Sequence, residues 1–208
     1  MIQTNSNSSF NLVELEDEPN SHDFYYVPGT KFEQPLKGLG ENCMSMFGSV
    51  NGLISLQRFG YQIPDTVYIW NPATQESITV QSAGGVMVFP NVITFGFRLS
   101  SKAGEYKVAR IYQEVLEENL LHVIRSDCHV YTLGSERRWR YTGHAPFLYT
   151  CREHGVFLNG NLHWWIRDPD GKEFISCFDL DKESFQHFPA PPELDELNLA
   201  SLELYQDR

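Results

Sequence analysis

Phe47-Gly48-Ser49-Val50-Asn51-Gly52-Leu53-Ile54 and Gly155-Val156-Phe157-Leu158-Asn159-Gly160-Asn161-Leu162-His163-Trp164 decide the reading of this chain. They lie 108 residues apart, and each is followed at the same distance by a second matching segment. Twenty positions after Asn51 stands Asn71, in Val67-Tyr68-Ile69-Trp70-Asn71-Pro72; twenty after Asn159 stands Asp179, in Ile175-Ser176-Cys177-Phe178-Asp179-Leu180. Asn-Gly before an alternating apolar run is a tight turn opening a strand. An apolar-aromatic run closing in Asn-Pro or Asp-Leu is a strand entering a turn, with the Asx side chain capping its own backbone. Turn, strand, gap, strand, turn is one antiparallel sheet, made twice.

A weaker copy lies between them, at His129-Val130-Tyr131-Thr132-Leu133-Gly134 with Trp139 and Tyr141 after it. Pro72, Leu133 and Leu180 are then equivalent and give spacings of 61 and 47. Repeats of roughly 40 to 50 residues, each one four-stranded sheet, are the signature of a β-propeller, whose blades bury their faces on one another. The competing reading is a single irregular β-sandwich with coincidental Asn-Gly turns. The fold class is therefore all-β, a partial propeller-like array of about three four-stranded antiparallel blades.

Strands are expected at 44–47, 53–58, 67–70, 77–80, 92–98, 106–112, 122–125, 129–133, 138–142, 155–158, 162–167, 173–178 and 184–188. The longest connection of the middle unit falls at 113–121, where 114–121 is the one stretch with any helical periodicity. Residues 1–23 form a polar, acidic lead-in, and 24–208 the β domain. After Pro189-Ala190-Pro191-Pro192, the leucines 197, 199, 202 and 204 suggest one further strand or a short helix. Three blades cannot close a ring, since closed propellers have about four to eight. The chain is thus expected to be a fragment, an open array, or half of a pair.

Composition narrows the function. With 16 Lys plus Arg against 27 Asp plus Glu, the net charge is −11, which disfavours phosphate neutralisation and hence nucleic-acid partners. No run of about 18 apolar residues suggests a membrane span, and no signal peptide is visible. Cytoplasmic and/or nuclear localisation is expected. Cys43, Cys128, Cys151 and Cys177 have no framework spacing and read as reduced thiols.

At this point a family resemblance becomes visible. Gly48-Ser49-Val50-Asn51-Gly52-Leu53-Ile54-Ser55-Leu56 resembles the Gly-Ser-Cys-Asn-Gly-Leu-Leu-Cys-Leu entry segment of plant F-box associated domains. Trp70-Asn71-Pro72-Ala73-Thr74 resembles their Trp-Asn-Pro-Ser-Thr. Phe95-Gly96-Phe97 through Glu105-Tyr106-Lys107-Val108-Ala109-Arg110, then Val130-Tyr131-Thr132-Leu133 with Trp139-Arg140, continue the series in order over residues 44–190. The resemblance implies a kelch-like, protein-binding module: the substrate-recognition half of a receptor in a Skp–cullin–F-box ubiquitin ligase. Residues 1–43 show no F-box pattern, so contact with the Skp adaptor is expected only if a longer gene product supplies one.

The repeated residues read as scaffold. Function in such arrays lives in connecting loops, here 59–65, 84–91, 113–121, 144–154 and 167–172. Phe59, Tyr61, Phe89, Phe147 and Tyr149 are the candidate partner-binding residues, because loop aromatics bury much area at low entropic cost. Arg137, Arg138 and Arg140 beside Trp139 read as a solvated turn. The alternative function is an open β-repeat hydrolase or oxidase. No catalytic, cofactor or metal residues are assigned. Gly-x-Ser-x-Gly and the phosphate-binding glycine motifs are absent. Asp168-Pro169-Asp170-Gly171-Lys172 is a hairpin turn rather than a calcium loop, and Cys151 with His154 makes only half a zinc site.

Overall fold

The computed structural model describes residues 2–3, 9–11, 14–17, 24–27, 31–33, 44–58, 66–81, 92–100, 102–116, 119–136, 138–146, 154–167 and 173–189. Five short strands come first: β1 (Ile2–Gln3), β2 (Ser9–Asn11), β3 (Glu14–Asp17), β4 (Phe24–Val27) and β5 (Lys31–Glu33). They pair as β1-β2-β5 and β3-β4. Three of them fall within the acidic first 23 residues.

Twelve further strands make three four-stranded antiparallel sheets, each in simple sequence order. The first blade is β6 (Met44–Val50), β7 (Leu53–Arg58), β8 (Val67–Asn71) and β9 (Glu76–Val80). The second is β10 (Val92–Leu99), β11 (Tyr106–Leu116), β12 (Asn119–Thr132) and β13 (Arg140–His144). The third is β14 (Val156–Leu158), β15 (Asn161–Arg167), β16 (Glu173–Asp179) and β17 (Ser184–Pro189). Every described element is a strand, and the arrangement is the partial propeller that the repeat implies.

The two Asn-Gly corners are equivalent. Asn51 and Gly52 (φ 50° and 79°) join β6 to β7, and Asn159 and Gly160 (φ 49° and 86°) join β14 to β15. Both residues of each pair occupy the left-handed region that a two-residue hairpin of this twist demands. The closing turns match as well. The Asn71 Oδ1 accepts from the Ala73 and Thr74 amides at 3.0 and 3.4 Å, and the Asp179 Oδ1 accepts from Asp181 and Lys182 at 2.9 Å each. Gln75 and Glu183 end these turns at φ 60° and 53°.

Stacking follows from the two faces of each sheet. Phe47, Val67, Ile69 and Val80 of the first blade bury against Ile93, Phe95, Phe97 and Val108 of the second. Ala109, Ile111, Cys128 and Val130 of the second bury against Leu162, Trp164, Ile166 and Phe178 of the third. Trp70, Tyr131 and Phe178, the aromatics of the closing strands, hold corresponding places. Phe178 faces the second blade and Tyr131 the first, while Trp70 packs with Ile54, Leu56 and Tyr68 on the first blade's remaining face.

Between blades, the leading strand β10 lies close to β6 on one side and to β14 on the other. The Gly155 amide donates to the Phe95 carbonyl at 2.9 Å, between sheets. A Cβ on Gly96 would lie 2.5 Å from Leu162 Cδ1, so only glycine permits this approach.

Two expectations need correction. The strands expected at 122–125 and 129–133 are one element, the 14-residue β12, which ends at Thr132, and β11 runs on to Leu116. Residues 113–116 and 119–121 therefore belong to the two strands of a bulged hairpin, not to a long loop or helix. Polar residues within the two strands misled, because they are satisfied inside the sheet. Gln113 donates to the Ser126 hydroxyl at 3.0 Å, and buried Asp127 accepts from Arg125 at 2.5 Å. The strand suggested beyond Pro192 lies outside the described residues.

Candidate interaction surface

The antiparallel order sorts the connections onto two ends. One end carries the tight turns: Asn51-Gly52, 72–75, 100–105, 133–138, Asn159-Gly160 and 180–183. These turns hold each other. Arg98 donates to the Ser49 carbonyl at 2.6 Å in the first blade, and its guanidinium lies 4.1 Å from the Phe157 ring centroid in the third. Ser100 donates to Asp181 at 2.5 Å. Lys107, nearly buried, donates to the Leu180 carbonyl at 3.0 Å and to Glu183 at 2.9 Å. Arg140 forks onto both Glu183 oxygens at 2.6 and 2.9 Å and reaches Glu136 at 2.9 Å.

This network fixes the charge states at that end. Burial pushes the Glu183 carboxyl upward, but the hydrogen bonds from Arg140 and Lys107 outweigh it and hold the group below its ordinary value. Glu136 is likewise lowered, with burial opposed by bonds from Arg140 and Thr132. Arg140 is correspondingly raised by Glu183 and Glu136. In the solvated turn read at 137–140, Arg138 and Arg140 are both exposed, and Arg140 is in addition ion-paired, while Arg137 lies outside the described residues.

The opposite end carries the longer connections. Strand ends Arg58 and Val67, Val80 and Val92, His144 and Val156, which segments 59–65, 82–91 and 147–153 join, all lie there. Phe59, Tyr61, Phe89, Phe147 and Tyr149 themselves lie outside the described residues, as do 168–172 and Cys151. The described part of this end mixes apolar, polar and charged side chains. His154 packs between Phe47 and Phe95, tilted to both, with ring centroids 5.3 and 6.5 Å away, and its Nδ1 accepts from the Phe95 amide at 3.4 Å. Burial pushes its pKa down to about 4, so the ring is neutral near pH 7. Asp127 and His144 approach to 3.5 Å, with Arg125 on the other side of the carboxylate.

Among the described residues no group of three or more His, Cys, Asp and Glu could hold a metal ion, and no helix is long and apolar enough to cross a membrane. Burial raises both described thiols, Cys128 to about 12, with Thr142 and nearby charges as smaller influences there and Asp179 adding a little at Cys177. Neither is an activated nucleophile.

Sequence reasoning missed Arg98, the Lys107–Glu183–Arg140 clasp and the ring packing of His154, which it weighed only as half a zinc site. Their partners lie 43 to 76 residues away in the chain, or across a sheet boundary, and leave no local pattern.

Stacked sheets with one clasped end and one end of longer connections define a propeller-type interaction scaffold. The chain belongs to the F-box associated beta propeller domain family, whose model matches residues 2–207. It is a protein-interaction module of the F-box protein family. A putative F-box protein of Arabidopsis thaliana is 28% identical over 124 residues, which is 57% of this chain and 28% of that relative. The match thus spans little more than a quarter of the relative's length. No solved structure matches.

Proposed function

We propose that this chain recognises target proteins for a Skp–cullin–F-box ubiquitin ligase, in the cytoplasm and/or nucleus. The family membership carries this reading. A receptor of this type performs no bond chemistry; it holds a target near the conjugating enzyme. Phe59, Tyr61, Phe89, Phe147 and Tyr149 are the anchors of the binding surface, on the connections opposite the clasped turns. Aromatic side chains there would bury large area against a target at little entropic cost. Docking on the Skp adaptor requires an F-box supplied by a longer gene product. The hydrolase or oxidase reading has less support: among the described residues Glu136 and Glu183 are held in ion pairs, His154 packs between two rings, and both described thiols are buried.

The test is reconstitution. The longer gene product, with Skp, cullin and conjugating enzyme, is assayed for ubiquitin transfer to a protein captured by this chain. Transfer should require both the F-box and this chain, and should fall at least tenfold when Phe147 and Tyr149 are changed to Ser. Ubiquitin transfer that is indifferent to removal of this chain would refute the proposal.

A further inference from the structure

The three outer edges of the blades are built differently. Strand β13 is bulged at Thr142, opposite Cys128 and His129 of β12, bends at Gly143 (φ 136°) and carries Arg140 and His144. Strand β17 ends in Pro189, which has no amide proton to offer. These are the devices by which sheets prevent unwanted strand pairing. Strand β9, Glu76-Ser77-Ile78-Thr79-Val80, has none of them: no proline, no lysine or arginine, no bulge in its register with β8. It is the last strand of its sheet, and Glu76, Ser77, Ile78 and Thr79 are all exposed, on both faces.

The side chains suggest what would pair with it. Ile78 lies opposite Ile69, whose face packs toward the second blade, yet Ile78 is 53% exposed. Tyr141 of β13 is 50% exposed and lies opposite His129, on the second blade's face toward the first. The two side chains therefore look into the cleft that opens between the outer edges. One end of that cleft is tied by the Trp139 indole, which donates to the Gln81 carbonyl at 2.7 Å.

We propose that β9 is a strand-addition site for an extended, cationic peptide segment. The peptide would continue the first sheet as a fifth strand, set an aliphatic side chain beside Ile78 and Tyr141, and place Lys or Arg near Glu76. A second copy of this chain is the poorer occupant. Two molecules of net charge −11 repel, and pairing over five residues buries less than the roughly 1,000 Å² that a specific dimer needs. The proposal is separate from the loop-borne target site and stands or falls without it.

The probe is an acetylated, amidated octapeptide of alternating Lys and Val, titrated into the ¹⁵N-labelled chain. Amide shifts should concentrate at Glu76–Val80, with slowed exchange there. The same peptide N-methylated at two adjacent central residues should bind about tenfold more weakly, as loss of one or two backbone hydrogen bonds dictates. The exposed double substitution Glu76→Lys/Ile78→Lys should leave the melting temperature within a few degrees and abolish the shifts. Equal binding by the N-methylated peptide would reduce the effect to charge alone and overturn the proposal. So would shifts centred elsewhere, no binding at about 1 mM peptide, or concentration-dependent self-association through β9.

Discussion

Gly96→Ala probes the stacking of the second and third blades at the point where they come closest. Gly96 has an extended conformation, so alanine meets no backbone objection; in open space the change would stabilise the strand by about 0.5–1 kcal/mol. Here the new methyl would lie 2.5 and 2.7 Å from the two Leu162 methyls, more than 1 Å inside ordinary contact. Leu162 is fully buried among Ala109, Ile111, Val130 and Phe178 and has little room to retreat. Overpacking costs about 1–3 kcal/mol, and contacts this short fall in the upper half of that range, which leaves a net loss of roughly 1–2 kcal/mol. At about 2–4 °C per kcal/mol for a chain of this size, the midpoint should fall by about 2–8 °C in calorimetry. Leu162→Ala alone should cost about 2–5 kcal/mol through its cavity. The double variant should cost less than the sum by about 1 kcal/mol, because the alanine methyl enters the vacated space. A neutral or stabilising Gly96→Ala, or strictly additive effects, would show that β10 and β15 are not in contact and would undo the stacked-blade account.

Three further outcomes follow from the charge states. His154 stays neutral in the fold with a pKa of about 4 but titrates near 6.5 when unfolded. Between those values the unfolded state binds more protons, so stability should decline as pH falls from 6.5 toward 4; His154→Phe should flatten that slope in melting curves. Glu183 and Glu136 have lowered folded values, so their contribution is present above the usual carboxylate range and is lost as pH falls through it. Glu183→Gln should lower the midpoint at pH 7 and reduce its further fall below about pH 4.5. Native-state alkylation read by mass spectrometry should leave Cys128 and Cys177 unmodified at pH 8 until denaturant is added, since both are buried with raised thiol values.

How much of this was legible in the sequence depends on whether the cause was local. The Asn51-Gly52 and Asn159-Gly160 corners and the Asx caps at Asn71 and Asp179 are set by a few adjacent residues, and the fold class follows from their repetition. The polar Ser126 and Asp127 make β12 look like two strands in the sequence; their partners Gln113 and His144 become neighbours only through the ladder. The clasp of Lys107 and Arg140 on Glu183 is wholly tertiary, and no spacing announces it. Gly96 and Gly155 read as ordinary strand glycines, yet each marks a place where Leu162 or Trp164 comes too close for a side chain. The loop aromatics were chosen by composition, and segments 59–65, 82–91 and 147–153 join strand ends that share one end of the array.

A hydrogen-exchange footprint of the chain, free and in complex with a protein that it captures from plant extract, tests that binding geometry most directly. Protection should rise in peptides covering 59–65, 82–91 and 147–153, and stay unchanged at the Asn51-Gly52, Asn159-Gly160 and 180–183 turns. Protection confined to the clasped turns, or a complex that survives Ser at Phe59, Tyr61, Phe89, Phe147 and Tyr149 with no change in the footprint, would contradict it.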